Sequence, residues 1–116
     1  MIYVCGGNTF LLQKHILECG FDKEIKKYVA NGVIYIGASA GSHIVTEDIE
    51  HVSYFDKNDV KIKDFKGLSL FDGILICHYD ETRKDVYDKL KNKYKNIYLL
   101  NDTEILYKEN NNVYKL

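Results

Sequence analysis

The residues best suited to chemistry lie in the turn Gly37-Ala38-Ser39-Ala40-Gly41, which matches the pattern G-x-S-x-G. A serine on a sharp strand-to-helix turn is held in a strained backbone with its hydroxyl exposed. The turn packs tightly and needs small neighbours, and both x positions are alanine. The following residue offers its backbone N–H to a developing oxyanion at the positive end of the next helix. The flanks fit, because Val33-Ile34-Tyr35-Ile36 reads as a buried strand and Ser42-His43-Ile44-Val45 as a helix. A Gly/Ala-rich turn that merely allows close packing is the plainer alternative.

A nucleophilic serine needs a base. His78 follows the apolar run Ile74 to Cys77 and so falls at the C-terminal edge of a strand, where open α/β sheets bind ligands. A structural, hydrogen-bonded histidine is the competing reading. His15 reads as a surface residue. His43 and His51, with Glu47 between them, form a weak metal pattern and read instead as a solvated helix face. An imidazole base needs a carboxylate to fix its tautomer. Asp102 follows the run Ile97 to Leu100 at the same sheet edge, although Asn101-Asp102-Thr103 also suits a simple turn. Asp80 and Glu104 are rival acids, with Asp80 placed to cap a helix.

Gly6-Gly7-Asn8-Thr9 ends the first apolar run and opens a helix, so its amides could cradle an anion or complete an oxyanion hole. It is not a G-x-G-x-x-G fingerprint, which excludes a dinucleotide reading. Arg83 is the only arginine among 16 basic residues. That singles out its planar, bidentate fork; an ordinary helix pair with Tyr79 or Tyr87 is the alternative.

The elements that must position these residues alternate. Strands are expected at Ile2–Cys5, Val33–Ile36, Ile74–Cys77 and Ile97–Leu100. Helices are expected from Asn8 or Thr9 to Cys19, Asp22 to Ala30, Ser42 to about Asp48, and Asp80 to Tyr94. Val60–Ile62 suggests a further strand. Glu104–Lys108 and Val113–Leu116 flank Asn110-Asn111-Asn112 as a hairpin. This order predicts an α/β fold: a three-layer, mostly parallel sheet with flanking helices and a C-terminal β-hairpin, in one domain spanning residues 1–116.

Composition agrees with a globular domain. The chain has 116 residues, 46% hydrophobic and 28% charged, with a formal net charge of −1. Interspersed charge gives no basic stripe for nucleic acid. No apolar run reaches the ~18 residues that span a membrane, and the N-terminus lacks the pattern of a signal peptide, so the cytoplasm is the expected location. Cys5, Cys19 and Cys77 are scattered without CxxC spacing, which favours small buried hydrophobes over disulfides or zinc.

Taken together, the segments resemble the peptidase E family of serine peptidases, which includes aspartyl dipeptidase and cyanophycinase. Gly6-Gly7-Asn8-Thr9-Phe10-Leu11-Leu12 is similar to its GGNTF segment, and Tyr35-Ile36-Gly37-Ala38-Ser39-Ala40-Gly41 to its nucleophile turn. His78-Tyr79 and Asp102, after Leu99-Leu100, are similar to its histidine and acid segments, in the right order. The resemblance implies Ser39 as nucleophile, His78 as general base and Asp102 as acid. It also implies an oxyanion hole from the amides of Gly7 and Ala40. Substrate contacts would come from Asn8, Thr9 and Arg83, the last holding an aspartate carboxylate. No metal or organic cofactor is implied. The expected activity is hydrolysis of short peptides, Asp-X dipeptides among them.

Members of the family are about twice as long, so the resemblance implies that this chain lacks their N-terminal βα units. The expected consequence is an uncovered sheet face or edge, and either a homodimer or pairing with a separate N-terminal fragment. A catalytically inactive homologue serving as a binding or assembly subunit is the alternative. A glutamine-amidotransferase-like domain fits less well, because such domains carry cysteine where this chain carries Ser39.

Overall fold

In the computed structural model, which describes all 116 residues, the chain alternates between strands and helices up to a final hairpin. β1 (Ile2–Val4) leads through the Gly6-Gly7 turn into α1 (Thr9–Glu18) and α2 (Phe21–Ala30). β2 (Tyr35–Gly37) runs into the short α3 (Ala40–His43). A long irregular stretch with a 3-10 turn at Glu50–Tyr54 then leads to β3 (Ile74–Ile76). A second 3-10 turn (Glu81–Arg83) opens directly into α4 (Lys84–Leu90), followed by β4 (Ile97–Leu99) and the hairpin β5 (Leu106–Glu109) and β6 (Asn112–Lys115).

Strand pairing is parallel in the first two ladders, β1 with β2 and β3 with β4, and antiparallel in the hairpin. The three ladders are hydrogen-bonded separately rather than as one continuous sheet. β3 is buried along its whole length, as expected for an all-apolar strand of a parallel ladder. Its Ile74 and Ile76 pack against Val86 and Leu90 of α4, which recur at helical spacing. A second cluster joins α1, α2 and the residue that ends α3 through Ile16, Ile25 and Ile44 to the inner face of β1 and β2, contributed by Ile2, Val4 and Tyr35. Phe10, Ile49 and Val52 form a third.

The opposite face of β1 and β2 has no cover. Tyr3 and Ile36 are register partners, and Ile34 lies on the same face two residues before Ile36. They are 59%, 43% and 65% exposed.

Four sequence expectations need correction. The segment Asp80 to Tyr94 is not one helix, because Asp80 caps a 3-10 turn and regular α-helix lasts only from Lys84 to Leu90. The helix after Ser39 stops at His43 rather than Asp48. Val60–Ile62 forms no strand; Val60 and Ile62 are half-buried in a loop that closes over the Phe10 cluster. Only Cys77 of the three cysteines is buried.

Candidate active site

Three strand ends deliver three side chains to one place. Ser39 follows β2, His78 follows β3 and Asp102 follows β4. His78 Nε2 stands 3.1 Å from Ser39 Oγ, and His78 Nδ1 stands 2.5 Å from Asp102 Oδ1. An ionised carboxylate only accepts hydrogen bonds, so the imidazole proton belongs on Nδ1. Nε2 is then left to accept from the serine hydroxyl. That is the order of contacts a nucleophile, a base and an orienting acid would need.

The turn around Ser39 is built by close approaches. Ser39 itself has φ 52° and ψ −109°, a conformation that a side-chain-bearing residue rarely adopts. A Cβ on Gly37 would stand 2.4 Å from the Gly41 carbonyl oxygen, and one on Gly41 would stand 2.2 Å from that of Val4, so both positions require glycine. The Tyr35 hydroxyl donates to the Gly41 carbonyl at 2.6 Å, and Ser42 Oγ donates to that of Gly37 at 2.8 Å. Burial pushes the Tyr35 hydroxyl well above the usual phenol range, keeping it a donor. Ala40 is fully buried. Its N–H is the first of α3 and has no carbonyl one turn back in the helix to satisfy it.

The Gly6-Gly7 loop lies against Ser39. A Cβ on Gly6 would meet Ser39 Cβ at 3.2 Å, while Gly7 has φ +130°. Gly6 thus borders Ser39 from the first turn, and Ala40 follows it in the second. Asn8 and Thr9 are used inside the fold. Asn8 Oδ1 caps α1 by accepting from Leu11 N, and its Nδ2 donates to the Lys57 carbonyl. Thr9 is fully buried, with its N–H donating to Asp56 and its hydroxyl paired with His43 Nδ1 at 3.1 Å.

Arg83 makes neither of the tyrosine pairs that its helix position offers. Its guanidinium donates from Nη1 to the Cys77 carbonyl at 2.7 Å and stacks 3.9 Å from the Phe55 ring centroid. Both rival acids are committed elsewhere. Asp80 accepts from the Thr82 N–H and hydroxyl, and those bonds hold its carboxyl below the usual range. Glu104 accepts from Asn101 N and pairs with Lys115 at 2.7 Å.

His43 and His51 overturn the expectation of a solvated face. They are 4% and 3% exposed, with rings in an edge-on pair 6.0 Å between centroids. Burial, with His51 adding to it, drives His43 down to about 3, and burial lowers His51 as well, so both environments favour the neutral imidazole. His51 Nε2 reaches the Leu75 carbonyl at 2.7 Å. No cluster of three or more His, Cys, Asp or Glu is gathered to hold a metal. Burial likewise lifts the Cys77 thiol to about 12, which keeps it protonated.

The irregular segment after α3, opaque in the sequence, proves to be structural support for the site. Phe55, Asp56 and Lys57 contact Arg83, Thr9 and Asn8 in turn. Nothing in their residue types foretold this, since each partner lies tens of residues away.

The family model for peptidase family S51 matches residues 1–116. The chain belongs to peptidase family S51. An uncharacterized peptidase of Pasteurella multocida, PM1590, is 40% identical over 81 residues, covering 68% of this chain and 39% of its own length. The uncharacterized peptidase Lmo0363 of Listeria monocytogenes is 36% identical over 96 residues, covering 80% and 47%. A crystal structure of a candidate peptidase E protein from Listeria monocytogenes EGD-e superposes with a TM-score of 0.87 at 31% identity. That match covers all of this chain and 58% of the other. The S51 chain thus spans about half the length, or somewhat less, of the curated relatives it matches. No helix is long and apolar enough to cross a membrane.

Proposed function

We propose that this chain carries the active site of a serine peptidase that hydrolyses short peptides. The observation behind the proposal is the contact chain Ser39 Oγ to His78 to Asp102, at 3.1 and 2.5 Å. In the proposed reaction Ser39 attacks the scissile carbonyl while His78 Nε2 takes the hydroxyl proton. Asp102 stabilises the imidazolium, and the amides of Gly7 and Ala40 hold the oxyanion. His78 then passes the proton to the leaving amine. Water, deprotonated by the same imidazole, releases the acid product and restores Ser39. Asp-X dipeptides are included among the proposed substrates.

Labelling with a fluorophosphonate tests the proposal. Wild-type protein should label and hydrolyse dipeptides, and Ser39→Ala should do neither. A wild-type chain that neither labels nor hydrolyses would overturn it.

One observation favours a second reading, an assembly subunit. Tyr3, Ile34 and Ile36 leave one face of β1 and β2 bare, whereas parallel ladders are ordinarily covered on both faces. The triad is also open, with the His78 and Asp102 side chains 49% and 74% exposed. A second copy of the chain, or a separate fragment, would cover that face. Light scattering distinguishes the states.

A further inference from the structure

We infer that Arg83 is a positioning residue that aims the base, rather than a clamp on substrate. This inference rests on the proposed serine-peptidase reading. It begins with a break in the ladder between β3 and β4. Ile74 N bonds the Asn96 carbonyl, and Leu100 N bonds that of Ile76, in regular parallel register. Continued by two residues, that register would give the Leu100 carbonyl to His78 N. Tyr79 N takes it instead, at 2.8 Å. One extra residue has therefore been inserted at His78, which is the definition of a bulge.

The inserted residue has φ 52°, a left-handed conformation that costs a residue with a Cβ on the order of 1 kcal/mol or more. Its effect is to re-aim the imidazole, placing Nδ1 on Asp102 and Nε2 on Ser39. A strained bulge keeps its form only when its neighbours hold it. On the Tyr79 side the ladder bond to Leu100 does so. On the other side is the peptide joining Cys77 to His78, and its carbonyl oxygen accepts from Arg83 Nη1 at 2.7 Å. Tilting that peptide would turn the histidine.

The guanidinium is itself fixed. Its Cζ lies over the Phe55 ring, 3.9 Å from the centroid, in a half-buried place where a charge-assisted bond is stronger than on the open surface. Phe55, Arg83, the Cys77 carbonyl and His78 thus form one line of contact running to Ser39. One of the five guanidinium N–H donors is thus engaged with the peptide that leads into His78.

The two roles predict different kinetics. A fluorophosphonate has no side-chain carboxylate, so a substrate clamp has nothing to do in its reaction, whereas the aim of His78 matters fully. The experiment compares labelling rates of Ser39 in wild type, Arg83→Met, Arg83→Lys and Phe55→Leu, with circular dichroism to confirm folding. Dipeptide kcat and KM are measured with acidic and neutral first residues. Wild-type labelling that is lost in Ser39→Ala establishes the underlying reading on its own. Given that, positioning predicts labelling at least tenfold slower in Arg83→Met. Arg83→Lys, which can still reach the carbonyl, should recover part of the rate, and Phe55→Leu should fall between. Loss in kcat should be equal for acidic and neutral dipeptides, with KM little changed. Wild-type labelling rates in folded Arg83→Met, with a rise in KM confined to acidic dipeptides, would overturn the inference. If Arg83→Met does not fold, unchanged labelling in Phe55→Leu together with no difference between Arg83→Lys and wild type would overturn it equally.

Discussion

Gly6 faces Ser39 so closely that a methyl group on Gly6 would stand 3.2 Å from Ser39 Cβ and 3.7 Å from its Oγ. Gly6 is not among the residues with positive φ, so alanine there meets a steric limit and no backbone strain. Gly6→Ala should therefore push the nucleophile by a few tenths of an ångström. Activity should fall about 10- to 100-fold, while stability drops by about 1 kcal/mol. Fluorophosphonate labelling rates and urea unfolding read the two effects separately. Full activity in Gly6→Ala would mean that this contact does not set the position of Ser39.

Gly41 presents the opposite case. Its Cβ would sit 2.2 Å from the Val4 carbonyl oxygen, and backbone rather than a flexible side chain blocks the space. Gly41→Ala should lower unfolding free energy by about 3 kcal/mol or more, because β1 and α3 must part to admit it. Urea midpoints measure this, and a loss under 1 kcal/mol would show that the turn is softer than its contacts imply.

The difference between these glycines illustrates what the sequence could and could not show. The pattern Gly37 to Gly41, the apolar runs before Ser39, His78 and Asp102, and the order of elements all lie in contiguous residues. Local rules therefore reach them. The Asp80 segment misled because its apolar spacing extends beyond the turns that can hydrogen-bond: Asp80 accepts from Thr82 N and starts a 3-10 turn. His43 and His51 misled for another reason. Their burial comes from the loop running from Ile44 to Gly73, which folds back through bonds such as Leu68 N to the Ile44 carbonyl and Glu47 N to that of Gly73. A long-range fold-back of that kind leaves no periodic trace. The resemblance implies Asn8 and Thr9 as substrate contacts, and no local pattern shows that Lys57, Asp56 and His43 also engage their polar atoms in the fold.

Asp102 is largely exposed, with its side chain 74% open to solvent, so it contributes little to folding. Its contact with His78 Nδ1 is the bond through which it would act in the proposed reaction. Asp102→Asn should leave unfolding free energy within about 0.5 kcal/mol of wild type. It should nonetheless lower kcat by about a thousandfold or more, since the amide no longer fixes the proton on Nδ1. Paired urea melts and dipeptide hydrolysis test this. A fall of only a few fold would demote Asp102 from the triad.

His43 should make stability depend on pH. Burial, and then the neighbouring His51, lowers it from 6.5 to about 3 in the folded chain. Above pH 6.5 the imidazole is neutral in both states, and its contribution is fully present. Below that, the unfolded chain takes up a proton that the folded chain refuses, and the contribution is lost as pH falls towards 3. One such proton costs about 1.4 kcal/mol per pH unit within the window. Between pH 7 and 5 the wild type should lose about 2 kcal/mol more than His43→Gln, which has no proton to gain. Urea unfolding of both proteins at the two pH values measures it, and equal losses would show that His43 titrates normally.

The bare face of β1 and β2 predicts self-association. Tyr3 and Ile36 sit opposite each other in register, with Ile34 beside them, and all three are apolar and open to solvent. Contiguous exposed apolar surface on a sheet face favours burial against a like surface. Because these side chains are exposed in the single chain, changing them should cost the fold little. Wild-type protein should therefore run as a dimer in light scattering at micromolar concentration. The double variant Tyr3→Lys with Ile36→Lys should run as a folded monomer, since a second copy would bring like charges together on an apolar face. Lysine at Glu18, exposed at the end of α1 and away from that face, is the matching control and should leave the dimer intact. A monomeric wild type would remove self-association from the account, and a dimer that survives both lysines would place the contact on another surface.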